Sequence, residues 1–228
     1  WGLVSGANQI LLPTFNLDEV MATIGKYPEI SYFPAVPTMI TAVVNHPRTS
    51  ELNLDKRIKL LNSGGAPMPA ELIERVNEMG IAFGEGWGMS ESAALGTANP
   101  LLAHRTGSIG IPMPDNDVRL VDAENGTEDV KPGEPGEIIL RGPVVMKGYW
   151  NNPEETQNQL RDGWLYTGDI AQTDPDGYIY IVDRKKDMII AGGFNIYPRE
   201  IDEILYQHPK IREAVAVGVP DSYRGETV

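Results

Sequence analysis

The stretch GEGWGMSES, residues 84–92, sets one indole between glycines and follows it with a hydroxyl and a carboxylate. Glycine has no Cβ, so Gly86 and Gly88 would leave the Trp87 ring open to lie against a flat group such as adenine. Ser90 could then donate to a phosphate and Glu91 hold Mg2+, which takes hard oxygen ligands. Read singly, the same residues are a core Trp, a turn Ser and a solvated Glu. A second carboxylate, Asp169 in WLYTGDI, sits near the end of an apolar run, where a charge needs partners. Ribose hydroxyls would supply them, and so would a turn or a cap. Arg184 could add a donor to the same sugar or to a phosphate, or stand as a solvated charge. Gly64 and Gly65 in SGGAPMP suit either a tight turn or close backbone approach to a ligand. Gly192 and Gly193 in AGGFN lack the G-x-x-x-x-G-K-[ST] spacing, which leaves a turn or the approach of a narrow ligand. Lys185 and Lys186 extend a basic run that reads as a solvated face.

These residues need elements to hold them. Leu17, Val20, Met21 and Ile24 recur at helical spacing, with Asn16 as N-cap and Glu19 completing a capping box. ISYF (30–33) reads as a short strand, and Thr38 to Asn45 as a helix entered through Pro37. IKLLN (58–62) reads as a buried strand, Leu72, Ile73, Val76 and Met79 as a helix that Gly80 stops, and IAFGE (81–85) as the next strand. Strand, helix, strand normally makes a parallel pair with a right-handed crossover. That would put SGGAPMP and GWGMSE at one carboxyl edge, where open sheets bind ligands. From about Leu101 the texture becomes β-rich: DVRLVD, GEIILRG, GWLYTGDIAQTD and YIYIVD, with PDG at 175–177 closing a hairpin and a short helix over Pro153 to Leu160. A helix from about Arg199 to Gln207 precedes a last strand, EAVAVGV, and a boundary is expected near Lys186.

Composition bounds the partners. Hydrophobic residues at 41% and charged residues at 22% fit an ordinary globular chain of 228 residues. A formal charge of -13 repels a polyphosphate backbone, so nucleic acid is not an expected partner. Without Cys, and with His46, His104 and His208 far apart, a disulfide framework is impossible, and zinc sites and catalytic triads are disfavoured. No apolar run reaches the ~18 residues of a membrane helix, and the expectation is a soluble, intracellular chain. It opens on Trp1 without Met, and only PDSYRGETV follows its last expected strand, which suggests a piece of a longer protein because a strand needs a partner.

Taken in order, LLNSGGAPMP, GEGWGMSES, GEIILRGPVVMKGYWNNPEET, DGWLYTGDI and YIYIVDRKKDMIIAGGFNIYPREIDEIL resemble the adenylate-forming superfamily of acyl-CoA synthetases, peptide-synthetase adenylation domains and beetle luciferases. VDRKKDMIIAGGFNIYPREID is most similar to fatty-acyl-CoA ligases. The resemblance implies an α/β fold in which residues 1–185 are the C-terminal portion of a large AMP-binding domain. That portion would comprise a mixed α/β subdomain (1–100) and a β-barrel-like, β-rich subdomain (101–185), before the hinge and start of a small α+β domain (186–228). It implies ATP, Mg2+ and coenzyme A as cofactors, and a carboxylic acid of the fatty-acid class as substrate. Position by position, Gly64, Gly65 and Ala66 would line the adenine and acyl pocket, and Gly86, Trp87 and Gly88 the nucleotide wall. Trp87 stands where the family has Tyr, so stacking survives but the phenol's hydrogen bond does not. Ser90, where Thr is commoner, would bind the α-phosphate, Glu91 Mg2+, and Asp169 with Arg184 the ribose. Lys186 would be the catalytic hinge, and Gly192 and Gly193 would border the pantetheine tunnel. The family's phosphate loop and the catalytic Lys of its first half-reaction fall outside these residues, so little or no ligase activity is expected of them alone. The competing readings are a noncatalytic nucleotide-binding relative and an adenylating enzyme with another acceptor. A cytoplasmic location is expected, while peripheral membrane contact, a homodimer and the acyl chain length stay open.

Overall fold

The computed structural model describes residues 4–66, 68–206, 208, 210–211 and 214–228. The chain divides into two units, Trp1–Gly84 and Glu85–Val228.

In the first unit local signals act as their chemistry dictates. Asn16 accepts the Glu19 amide at 3.0 Å and opens helix α1 (Leu17–Lys26), which buries Val20, Met21 and Ile24. Pro37, whose missing amide costs nothing in a first turn, opens α2 (Pro37–Val44). The strand expected at 30–33 begins later: β1 is Phe33–Ala35, and Ile30 makes an isolated bridge to Ile58. Two short turns, α3 (Thr49–Leu52) and α4 (Leu54–Arg57), lead into β2 (Leu60–Ser63), which runs parallel to β1 with Phe33 opposite Leu61. Helix α5 (Ala70–Glu78) follows, and Gly80 turns the chain out of it at φ 77. Strand β3 (Ala82–Trp87) lies next to β2 in the sheet. Met21, Ile24, Ile40, Leu61 and Ile73 are completely enclosed in this unit's core.

Strand β3 runs further than the sequence suggests, into the second unit. Gly86 and Trp87 belong to the strand, because they pair antiparallel with Ala98 and Thr97 of β4 (Thr97–Ala98), which pairs in turn with β5 (Ile111–Pro112). A second sheet is built from β6 (Asp117–Val121), β7 (Gly136–Arg141), β9 (Trp164–Thr173) and β10 (Ile179–Arg184), in the order β10-β9-β7-β6. Helix α6 (Pro153–Gln159) and the short β8 (Leu160–Arg161) precede β9. The β-rich expectation is met, and among the described residues this sheet stays open rather than closing into a barrel. Closure needs its two edge strands to pair, whereas Gly110 bridges Ile179 on β10 and Asp129 bridges Val121 on β6. The expected hairpin is present, with Thr173 opposite Ile179 and the Asp174 carboxylate accepting the amides of Asp176 and Tyr178 at 2.9 and 3.0 Å.

The last sheet orders β11 (Ile189–Ala191), β12 (Phe194–Ile196), β13 (Val219–Asp221) and β14 (Gly225–Thr227) as β12-β11-β14-β13, with α7 (Pro198–Tyr206) between β12 and β13. Gln207, the expected helix end, and Glu213, the expected strand start, lie outside the described residues. Residues 214–218 form no strand, against the expectation for EAVAVGV. Their valines alternate without a core to receive them: Val215 is 75% and Val217 60% exposed. The terminal PDSYRGETV supplies the hairpin instead, its turn held by the Asp221 carboxylate on the amides of Tyr223 and Arg224. Among the described residues no helix is long and apolar enough to cross a membrane. In urea unfolding, Ile138→Ala, at a fully enclosed position of β7, is expected to cost about 2–5 kcal/mol. Val215→Ser is expected to stay within about 0.5 kcal/mol of the parent; a loss as large as that of Ile138→Ala would mean that 214–218 is a buried strand after all.

Candidate functional site

Trp87 and Asp169 meet although 82 positions separate them: the indole Nε1–H donates to Asp169 Oδ2 at 2.8 Å. The register of β9 explains how. Glu137 pairs with Ile170 and Ile139 with Tyr166, so Thr167, Gly168 and Asp169 bulge opposite Ile138 alone. Gly168 takes φ 73, which a side chain would strain. Thr167 Oγ1 donates to the Ile138 carbonyl at 2.8 Å and accepts the Asp169 amide at 3.2 Å, while the Gly168 amide donates to Glu137 Oε1 at 3.1 Å. Bulges re-aim side chains. Here one Asp169 oxygen reaches the indole and the other lies 3.7 Å from Arg184 Nε, on the residue paired with it across β10. Burial raises the Asp169 carboxyl above its ordinary range; the Trp87 donor and the Arg184 charge pull it back down, and the Glu137 charge pushes it up.

Trp87 is both core and rim. Its ring packs against the cluster of Leu120, Ile138, Ala171 and Ile179, and its polar edge is engaged by Asp169. The flanking glycines have a packing reason of their own. A Cβ on Gly86 would stand 2.6 Å from Leu95 Cδ1, and one on Gly88 would collide with the Ala94 carbonyl, because residues 93–97 return directly beneath the strand. That return is strained at Ala93 (φ 49) and Ala94 (φ 83). Ser92, fully buried, holds it by accepting the Met89 amide at 3.0 Å and donating to the Met89 carbonyl at 3.2 Å.

Ser90 and Glu91 occupy the single 3-10 turn of this return, with Ser90 exposed. The Glu91 carbonyl accepts the Met146 amide at 2.8 Å, and its Oε1 accepts the Tyr149 hydroxyl at 2.8 Å. Burial, reinforced by Glu91, pushes the Tyr149 phenol up to about 12, so it remains a donor at neutral pH.

Lys185 is not on a solvated face: its Nζ lies 2.8 Å from Oε2 of Glu137, which is 3% exposed. Lys186, next along the 3-10 turn Lys185–Asp187, is exposed. Gly192 and Gly193 form the two-residue turn between β11 and β12, both at positive φ (61 and 86), and a Cβ on either would meet nothing within 4 Å. Gly64, Gly65 and Ala66 follow β2 in the first unit, with Gly65 at φ 82.

Sequence reasoning missed Glu137, Tyr149 and Glu85. Glu137 had one signal, a charge heading the apolar run IIL; Tyr149 had none. Glu85 was detectable by period: Ile81, Phe83 and Glu85 share one face of the strand, and the first two are buried. Glu85 Oε2 lies 3.8 Å from His104 Nε2, with both side chains largely enclosed. Burial pushes the Glu85 carboxyl up to about 7 and the His104 imidazole down.

An indole bonded to a largely enclosed carboxylate thus stands beside a turn carrying a hydroxyl and a second carboxylate. The model of the AMP-binding enzyme family matches residues 1–150, and the chain belongs to that adenylate-forming family. It is 48% identical over 225 residues to a long-chain-fatty-acid–CoA ligase of Bacillus subtilis (strain 168), covering 98% of this chain and 40% of that protein. It is 43% identical over 226 residues to a feruloyl-CoA synthase of Amycolatopsis sp, covering 98% and 45%. An O-succinylbenzoate coenzyme A synthetase from Bacillus subtilis, solved in complex with ATP and magnesium ion, superposes with a TM-score of 0.84 at 30% identity, covering 98% of this chain and 46% of that one. The chain therefore spans less than half the length of each of these proteins.

Ser92→Ala takes the acceptor from the part-buried Met89 amide and is expected to lower stability by about 0.5–1.5 kcal/mol in chemical denaturation. Glu85 titrates at about 7 in the fold against 4.5 as its ordinary value, so its neutral form is the stabilising one. That contribution is complete below pH 4.5 and is lost as pH rises through about 7. Thermal melts are expected to show the parent losing stability relative to Glu85→Gln across this window, whereas a constant difference would refute the enclosed carboxyl.

Proposed function

We propose that this chain supplies the nucleotide-binding part of an ATP-dependent acyl-CoA synthetase, a long- or medium-chain fatty acid–CoA ligase working through an acyl-adenylate. The Trp87–Asp169 bond carries the reading, since it couples a base platform to a ribose acceptor with a 2.8 Å contact. The named activities of the two relatives, and the ATP and magnesium in the structural neighbour, support it. In this reaction a carboxylate oxygen attacks the α-phosphorus of ATP and the bond to the β-phosphate oxygen breaks, releasing pyrophosphate. The thiol of coenzyme A then takes the acyl group and AMP leaves.

Each residue has a defined task. Trp87 presents its face to adenine, with Gly86 and Gly88 beside it. Asp169 accepts the ribose hydroxyls and Arg184 reinforces them; Ser90 donates to the α-phosphate. Gly64, Gly65 and Ala66 are assigned to the adenine and acyl pocket by the family resemblance. Residues 1–185 belong to the large domain, Lys186 is the hinge of the small domain that begins there, and Gly192 and Gly193 border the pantetheine path. Among the described residues no group of three or more His, Cys, Asp or Glu could cage a metal. That fits Mg2+, which is usually held by one or two carboxylates plus substrate phosphates and water, with Glu91 as the carboxylate. When bound, the cation neutralises the phosphates so that two anions can meet. A cytoplasmic location belongs to the same proposal.

The test is ATP–pyrophosphate exchange in a protein of the relatives' full length that carries this chain. Acetate, octanoate, palmitate, benzoate and ferulate are offered with and without coenzyme A. Exchange is expected to depend on a fatty acid, to yield thioester once coenzyme A is present, and to fall on the order of 100-fold in Glu91→Gln. Preference for ferulate would make the substrate aryl; exchange without thioester would point to another acceptor, and no exchange with any acid to a noncatalytic nucleotide binder.

A further inference from the structure

Glu91 is held by a device that the adenylation reading does not use. The segment between β7 and α6 touches it twice, through the Met146 amide on its carbonyl and the Tyr149 hydroxyl on Oε1, each at 2.8 Å. Tyr149 is itself fixed from α6. Its amide donates to Thr156 Oγ1 at 2.9 Å, and Thr156 Oγ1 donates to the Asn152 carbonyl at 2.8 Å. Asn152 in turn caps α6 by accepting the Glu155 amide at 3.2 Å. Gly148 takes φ 147, and a Cβ there would stand 2.8 Å from Thr156 Cγ2, so the backbone just before the tyrosine packs closely on the helix. The chain of contacts runs from helix cap to threonine, tyrosine and carboxylate. Among the described residues, Glu91 Oε2 accepts no hydrogen bond and Glu91 has no ion-pair partner.

We propose that Tyr149 is a positioning residue for the metal carboxylate: its phenol holds Glu91 Oε1 and turns Oε2 toward a divalent cation on the nucleotide phosphates. This rests on the assignment of Glu91 as the metal carboxylate. A carboxylate on a flexible side chain loses rotamer freedom when it binds a cation, and a partner that has already fixed it removes that cost. A phenol suits the task because it donates without adding a charge that would compete with the cation.

The experiment uses a protein of the relatives' full length carrying this chain, and titrates Mn2+ into its ATP complex by electron paramagnetic resonance for the parent, Tyr149→Phe and Glu91→Gln. ATP affinity in chelator and the melting temperature are measured alongside. Tyr149→Phe is expected to weaken Mn2+ binding roughly 10-fold while leaving chelator-side ATP affinity within about twofold of the parent. Unchanged Mn2+ affinity in Tyr149→Phe together with a loss in Glu91→Gln overturns the positioning role and leaves the metal assignment standing. Unchanged affinity in both variants overturns the assignment of Glu91 and the positioning role with it. A fall in metal-free ATP affinity equal to the fall in Mn2+ affinity would show a general packing role and also overturn the proposal. Should Tyr149→Phe fail to fold, Thr156→Val, which keeps the phenol but removes its anchor, is titrated in its place, and an unaltered Mn2+ affinity there counts against the proposal.

Discussion

A carboxylate withdrawn from water has to be given donors, and the second unit is organised around one that is. Glu137 is 3% exposed and satisfies its two oxygens separately, one on the Gly168 amide and one on the Lys185 ammonium. Removing Lys185 would leave this buried carboxylate short of a donor, whereas the lysine, 39% exposed, can turn to water if the glutamate is removed. The bond to Gly168 holds the β9 bulge in place, and the bulge aims Asp169 at the indole. The bond to Lys185 ties the end of β10 to β7, so the first residue past the anchor is the exposed Lys186. One buried side chain thus sets both the Asp169 carboxylate, the proposed ribose acceptor, and the point at which the proposed hinge begins.

Three enclosed carboxylates in this unit are treated in three ways. Glu137 is paired with a lysine, Asp169 is shared between an indole and a more distant guanidinium, and Glu85 faces a histidine at 3.8 Å and titrates near neutrality. Environment, not residue type, separates them, as it does wherever titratable groups are pushed apart to do different work. Burial raises the Asp169 carboxyl, and its two oxygens are divided between the Trp87 donor and the more distant Arg184 charge, which pull it back down.

The glycines of GEGWGMSES also serve packing before they serve any ligand. Residues 93–97 pass so close beneath β3 that side chains at 86 and 88 would be displaced, and the turn that achieves this places two alanines in left-handed conformations. Strain of about 1–3 kcal/mol at each such residue persists only where the surroundings over-determine it. Ser92 and the contacts on Glu91 supply that restraint from opposite sides. The tightness of the turn is what presents Ser90 and Glu91 together, at the end of a strand whose indole is already committed.

The elements that depend on near neighbours were written in the sequence. The Asn16 cap, the Pro37 helix start, the Gly80 stop and the Pro-Asp-Gly hairpin all formed where their residues stand, because each is a contact across a few positions. Motif order alone also placed the chain in its family, and it singled out Trp87, Glu91 and Asp169 as candidates. Alternation without a burial target misled at 214–218, where valines repeat every second residue but find no sheet. The contacts that gather the candidate residues join positions far apart. Trp87 with Asp169, Glu91 with Tyr149 and Glu137 with Lys185 are separated by 82, 58 and 48 residues. Local chemistry decides which residues cap, turn and pair. Which buried charge finds which donor is decided only when the sheet's register and its bulge bring distant strands together, and that is a property of the folded chain.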